Sequence, residues 1–355
     1  MKNGPGPVVL FRSDMDALPL KEETELSYKS TAIVKDVDGN SVPAMHACGH
    51  DAHTTWLIGM AKQLAARRDQ WSGTLILLAQ PSEEPMDGAV AMVDDGLYKI
   101  IPKPDIIISA HGTPVLPAGS IAVKNGRRMA GSDQIDVIIP GVGGHGSTPH
   151  GAKDPVVMGA MAVMGYQAVV ARAIDQYHPA VLTVGSFQAG SANNIIPDSA
   201  TLKLNLRWYN ETERLQMIKG IKSVTNNISN MYNMPKDRMP IYDMKSYATA
   251  VINKHPEDVK TAHDAMQKAL GKEKVVEGLP PVMGSEDFQM LATPYPDTRI
   301  LYIEVGSGKP DVFTNYIKNG ELPFLNHHPK YQLEKPAIAT ATIGLTATVM
   351  AFLPK

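Results

Sequence analysis

Three short runs, "PVVLFRSD" (residues 7–14), "GTLILLAQ" (73–80) and "PDIIISAH" (104–111), are continuously apolar and β-branched rather than alternating. A strand with one face in water alternates, whereas an unbroken run suits burial on both faces, inside a sheet covered by helices. Between the first two runs lies "DAHTTWLIGMAKQLAARR" (51–68), in which Trp56, Met60 and Leu64 recur at i, i+4 and i+8 and the end is basic. That spacing predicts a helix. Strands separated by helices predict an α/β layer architecture.

From about residue 129 the pattern changes. "DQIDVIIPG" alternates as a strand, residues 154–175 read as a helix, and "AVLTVGSFQ" and "SATLKLNLRWY" read as strands; 211–232 is helical again and "RMPIYDMKSY" follows. The order β-α-β-β-α-β is the split βαβ arrangement and predicts an inserted α+β domain at 129–244, flanked by a first domain made of 1–128 and 245–355. The tail "KPAIATATIGLTATVMAFL" reads as a small-residue helix that packs closely on a sheet. A chain of 355 residues suits two such domains.

With 43% hydrophobic and 20% charged residues the composition is globular, and a formal charge of −2 provides no basic field for nucleic acid. No apolar run approaches the roughly 18 residues of a membrane span, so no membrane partner is expected. The start, "MKNGPGPVVLF", lacks the basic, apolar and small-residue succession of a signal peptide, which predicts a cytoplasmic protein.

The chemistry concentrates in "MHACGHDAH" (45–53), which holds three of the eleven histidines and the only cysteine. A single cysteine makes no intramolecular disulfide and is core filler, nucleophile or metal ligand. If 45–50 is extended, His46, Cys48 and His50 point one way, and with Asp51 as helix N-cap the helix dipole favours the Cys48 thiolate. Thiolate and imidazole suit zinc and similar divalent ions. Glu83 and Glu84 follow the second apolar run, His111 closes the third, "NHHP" holds His327 and His328, and "GGHGSTPH" holds His145 and His150. Strand carboxyl ends are where α/β sites assemble. Adjacent glutamates point in different directions, so one can hold a metal while the other faces the attacking water. His178, His255 and His263 stand alone and read as surface or core residues.

The motifs "RSDMDALPL", "MHACGHDAH", "QPSEEPMDGAVAMVDDG", "GGHGSTPH", "NIIPD", "GSEDF" and "HHPKY", in this order, resemble the aminoacylase and carboxypeptidase family of dinuclear metallo-amidohydrolases, in its hippurate hydrolase and indoleacetyl–amino acid hydrolase branch. The resemblance implies a catalytic α/β/α domain with a mixed sheet and an inserted ferredoxin-like dimerisation or lid domain. It implies hydrolysis of the amide of N-acyl amino acids or small peptide-like conjugates. It also implies two divalent ions (zinc or manganese, with cobalt or nickel alternatives), a small-molecule substrate and a homodimer formed through the inserted domain.

By the same resemblance Cys48, His50, Glu84, His111 and His327 are metal ligands, with Cys48 bridging, and Glu83 is the general base. Asp16 orients a ligand histidine, and His145 stabilises the oxyanion across a dimer interface. Asn194, Arg207, Gly284 and Ser285 contact substrate. Turn and capping roles compete with binding at Asn194 and in "GSEDF", and an ordinary surface charge competes at Arg207. Family members carry some tens of residues before the "RSDMDALP" strand, which this chain enters within its first ten residues. The competing functions are a phosphohydrolase built on the His50-Asp51 pair and a degenerate member that binds conjugates without turning them over.

Overall fold

A computed structural model describes residues 1–320 and 322–355. Along the chain its principal elements are β1 (Val8–Asp14), α1 (His50–Ala66), β2 (Gly73–Gln80), α2 (Gly88–Asp94), β3 (Ile106–Pro117), β4 (Gly131–Pro140), α3 (Pro155–Ala168), β5 (Ala180–Ala189), β6 (Ser199–Trp208), α4 (Glu211–Met231), β7 (Ile241–Ala248), α5 (Pro256–Leu270), β8 (Arg299–Gly308) and α6 (Pro336–Ala351). They fall into two compact units. The first is Met1–Arg128 with Val251–Pro280 and Asp287–Lys355, and the second is Met129–Ala250 with Pro281–Glu286.

In the first unit the apolar runs lie side by side in a mixed seven-stranded sheet, in the order Lys2–Asn3, β2, β1, β3, β8, Ile121–Ala122, Val275–Val276. β1 is parallel to β2 and β3, and β3 is parallel to β8; Ile121–Ala122 runs antiparallel to β8. One pleat face carries Val9, Phe11, Leu75, Ile106, Ile108, Leu301 and Ile303 into a core with residues of α1, α5 and α6. The period-2 pleat sends Arg12, Gln80 and Ser109 to the other face. Trp56, Met60 and Leu64 of α1 are fully buried. Each such side chain contributes about 1.5–3 kcal/mol. In α6, a Cβ on Gly344 would stand 3.0 Å from both Ile121 and Leu270, so this small residue sets the close approach of the tail helix.

β3 runs past the expected end at His111 to Pro117. Beyond Ser109 it has left β1 and, among the described residues, pairs only with β8, and Pro114 and Pro117 are tolerated where one side needs no donor. Residues 45–50 are also not extended. Residues 47–48 form a turn, α1 begins at His50, and its N-cap is Gly49 in the left-handed region (φ 87°) rather than Asp51.

The second unit is a four-stranded antiparallel sheet in the order β5, β6, β4, β7, along the path β-α-β-β-α-β. Ile135, Val137, Ile139, Leu202, Leu204 and Leu206 share a core with Met158, Ala162 and Tyr166 of α3 and Met217 and Ile221 of α4. β7 extends to Ala248, so this unit continues to Ala250 rather than 244. Pro281–Glu286 joins it because the Ala130 amide donates to the carbonyls of Val282 (3.2 Å) and Gly284 (2.8 Å).

One departure concerns the longest apolar stretch. Pro155–Ala173, α3 plus a π-helical turn, is a 19-residue helix long and apolar enough by composition to cross a membrane. Sequence reading saw no such run. The stretch is apolar on both flanks: Met158, Ala162 and Tyr166 enter the core, while Val157, Met161 and Met164 are exposed.

Candidate functional site

In the first unit, β1 delivers Asp14 and the loop after it delivers Asp16. The turn after β2 delivers Glu83 and Glu84. This turn is tight: Ser82 and Met86 have φ of 59° and 65°, the Met86 amide donates to the Glu83 carbonyl (2.7 Å), and the Gly88 amide donates to that of Ser82 (2.9 Å). A Cβ on Gly88 would lie 1.9 Å from the Pro81 carbonyl oxygen, so only glycine fits. Non-glycine residues in this region carry strain of about 1–3 kcal/mol, held in place by the surrounding contacts.

His50 Nδ1 approaches both the carboxylate and the carbonyl oxygen of Asp16 at 3.1 Å, and the other Asp16 oxygen accepts the Glu84 amide at 3.0 Å. Asp16 therefore fixes a histidine ring and the glutamate turn together. His50 Nε2 is left buried with no hydrogen-bond partner, facing Asp14 Oδ2 at 3.8 Å, Glu83 Oε2 at 3.9 Å and Glu84 Oε1 at 3.9 Å. Glu84 Oε1 is likewise buried and unpartnered. Ligand atoms of Cys48, His50 and Glu84 all lie within 4.8 Å of one another. Cys48 Sγ is 3.4 Å from His111 Nε2, whose ring Nδ1 is turned to the Gly112 carbonyl (2.8 Å).

The loop bearing His327 closes on this group. Its amide donates to the Ala47 carbonyl (2.8 Å), its φ is 72°, and its Nε2 stands 3.2 Å from Glu84 Oε2. Asn326 donates to the Cys48 carbonyl (3.1 Å). His328 turns away and stacks on Phe324 at 4.4 Å. Asp51 is exposed and accepts the Ala52 amide, which separates it from His50 and weighs against a His-Asp phosphohydrolase pair.

The electrostatics reverse one expectation. Burial pushes the Cys48 thiol well above its ordinary value, and Glu84, Glu83 and Asp14 push it further. The helix dipole is outweighed, so without a cation the thiol keeps its proton. Burial alone would lower the His50 imidazole, but Asp14 and the hydrogen-bonded Asp16 raise it to about 9. A pocket that gathers a thiol, carboxylates and two unpartnered buried atoms fits a borderline-soft divalent cation.

Sequence reasoning gave no role to Arg12, Asp14, His53, Asn326 or Asp287. Asp14 is held well below the ordinary carboxylate range: burial opposes this, but His53, Arg12 and His50 outweigh it. The available signals were two charges inside a doubly buried strand and a histidine three residues after His50 on one helix face.

In the second unit the paired strands Gly144–His145 and Ile195–Ile196 bring His145 beside Asn194, whose carbonyl accepts the Gly146 amide (2.8 Å). His145 is exposed, its Nδ1 held 2.7 Å from Ser147 Oγ. Arg207 donates to Asn205 (2.6 Å) and to Ser285 Oγ. Ser285 therefore caps no helix; the 3-10 turn Phe288–Ala292 has Asp287 at its N-cap. Gly284 contributes its carbonyl to Ala130.

Residues 10–318 match the model of peptidase family M20/M25/M40. The chain is 37% identical over 285 residues to hippurate hydrolase of Campylobacter jejuni, covering 78% of this chain and 68% of that protein. It is 31% identical over 337 residues to N-acetylcysteine deacetylase of Bacillus subtilis, covering 95% and 79%. Among solved structures it resembles the YXEP protein of Bacillus subtilis, described as a dinuclear metal binding peptidase of the M20 family, with a TM-score of 0.72, 26% identity and coverage of 99% of this chain and 83% of that one.

Proposed function

The chain belongs to peptidase family M20/M25/M40, a family of hydrolases, and from that premise we propose that it cleaves the amide of N-acyl amino acids or small peptide-like conjugates to release a free amino acid. The observation that carries this reading is the buried, unpartnered His50 Nε2 ringed at 3.8–3.9 Å by Asp14, Glu83 and Glu84. A divalent cation in that space would give this nitrogen and the surrounding carboxylates a common partner in place of the ring proton.

Cys48, His50, Glu84, His111 and His327 would hold two divalent ions, zinc or manganese first, cobalt or nickel next. Ions there supply Lewis acidity, which makes a water a competent nucleophile near neutral pH. Glu83 takes the proton of the attacking water as its oxygen bonds to the amide carbon. His145 of a second copy stabilises the oxyanion that forms. Glu83 then returns the proton to the amide nitrogen as the C–N bond breaks, leaving a free amine and a carboxylic acid that gives up its remaining proton to water. Arg207, Ser285, Gly284 and Asn194 orient the substrate carboxylate, and Asp16 holds His50 in register.

The second copy is supported by an apolar flank. Val157, Met161 and Met164 of α3 are exposed, and among the described residues β5, at the sheet edge, pairs only with β6. An apolar helix flank beside a strand edge suits a self-complementary interface. A helix whose other flank is locked in its own core cannot also turn that flank to lipid, so a protein partner fits better than a membrane.

Glu83→Gln tests the division of roles. Turnover should fall roughly a thousandfold while metal stoichiometry stays at the wild-type value. Loss of both together would assign Glu83 to ligation instead.

A further inference from the structure

Behind the candidate metal ligands runs a buried chain of polar side chains that the reaction above does not use. Asp287 and Gln80 are completely buried, as are Arg12 and Asp14 on the same pleat face of β1. Asp287 Oδ1 accepts from Arg12 (3.1 Å) and from Gln80 Nε2 (2.6 Å), and its other oxygen accepts the Ala89 amide (2.9 Å). Arg12 Nε donates to Gln80 (2.8 Å), and its Nη1 donates to Asp14 Oδ2 (2.8 Å). Asp14 Oδ1 in turn meets His53 Nδ1 at 2.5 Å. The chain ends where the Gly112 amide donates to His53 Nε2 at 3.0 Å.

That last bond decides the state of His53. Because Nε2 accepts, the ring proton sits on Nδ1 and is donated to Asp14. Asp14, His50, His53 and His111 each place a ligand atom within 4.8 Å of the others, which would suit a metal group. His53 has no lone pair to offer it, since both ring nitrogens are already engaged. Gly112 follows His111 directly, and its carbonyl receives the His111 ring Nδ1–H (2.8 Å), so the residue whose amide His53 holds is the one whose carbonyl aims His111 Nε2 at Cys48.

We propose that His53 is a positioning residue, held in one tautomer by the Asp287–Arg12–Asp14 chain, that fixes the Gly112 backbone and through it the metal-facing ring of His111 without itself binding the ion. The inference rests on the reading of His111 as a ligand. It also gives the buried Arg12 and Asp14 of "RSD" and Asp287 of "GSEDF" a shared task that neither the ligand set nor the substrate contacts require.

The test uses three substitutions at His53 in the full chain, with cobalt(II) or zinc(II) chloride titrated calorimetrically into chelator-treated protein. Gln places its amide oxygen near Nε2 and can still accept from Gly112. Asn places its amide nitrogen near Nδ1 and keeps only Asp14. Ala keeps neither. His53→Asn and His53→Ala should weaken metal binding about 10–100-fold at unchanged stoichiometry, with a shifted cobalt absorption spectrum, whereas His53→Gln should stay within a few-fold of wild type. Asp287→Asn, at the far end of the chain, should move affinity in the same direction as His53→Asn.

Equal affinity in all three His53 variants would overturn the proposal. So would loss of one bound ion in every variant, which would make His53 a ligand. If His53→Ala does not fold, the contrast between Gln and Asn still decides the matter. A wild-type protein that binds no ion would remove the metal reading itself, an outcome separate from the other two.

Discussion

At Cys48 two opposing forces act on one thiol, and their sizes settle its state. A helix terminus contributes 0.3–1 kcal/mol for surface charges, about 2 kcal/mol at most. Burial with carboxylates around the sulfur exceeds this and holds the proton in place. His50, raised to about 9, is also protonated at pH 7 in the metal-free protein. Metal binding must therefore expel protons from both, and apparent affinity should rise with pH through the His50 range near 9, go on rising while the Cys48 thiol still holds its proton, and weaken as pH falls. Titration calorimetry in buffers of different ionisation enthalpy should show net proton release at pH 7; binding with no release would contradict these protonation states. The ligand candidates were legible because they sit in short motifs with distinctive residue types. Arg12 and Asp287 were not, because their pairing spans 275 positions and no local pattern marks it. The thiol departs from expectation for a related reason: the neighbouring helix is visible in sequence, but the burial and the carboxylates that outweigh it are set by distant parts of the chain.

Among the elements, the turn between β2 and α2 carries the most demanding geometry. It holds Ser82 and Met86 at positive φ and admits no side chain at Gly88. Gly88→Ala should destabilise the protein by about 3 kcal/mol through overpacking, seen as a lower urea midpoint at unchanged slope. Gly151→Ala, with open space around its Cβ, should shift the midpoint little. A Gly88→Ala midpoint equal to wild type would show that the turn can move aside. The buried strands were legible because continuous apolar runs have few other uses. The start of α1 was not, since a left-handed glycine cap leaves no side-chain signature like that of Asp51. The extension of β3 was hidden by prolines, which read as a loop unless the one-sided pairing is known.

For the whole molecule, the division into an α/β unit and an inserted α+β unit follows from the switch in hydrophobic period near residue 129. The apolar exterior of α3 was less visible, because a helix apolar on both flanks has no single stripe to read. If that flank meets a second copy, the double substitution Met161→Glu and Met164→Glu should halve the mass measured by light scattering and lower turnover, since His145 would lose its partner site. An unchanged mass would place any dimer contact elsewhere. The most direct test of the central claim is hydrolysis of acetyl, benzoyl and indoleacetyl amino acids by chelator-treated protein, with and without added zinc, manganese or cobalt. Release of free amino acid that returns only with metal is the predicted result; no release with any metal, from folded protein that binds two ions, would contradict it.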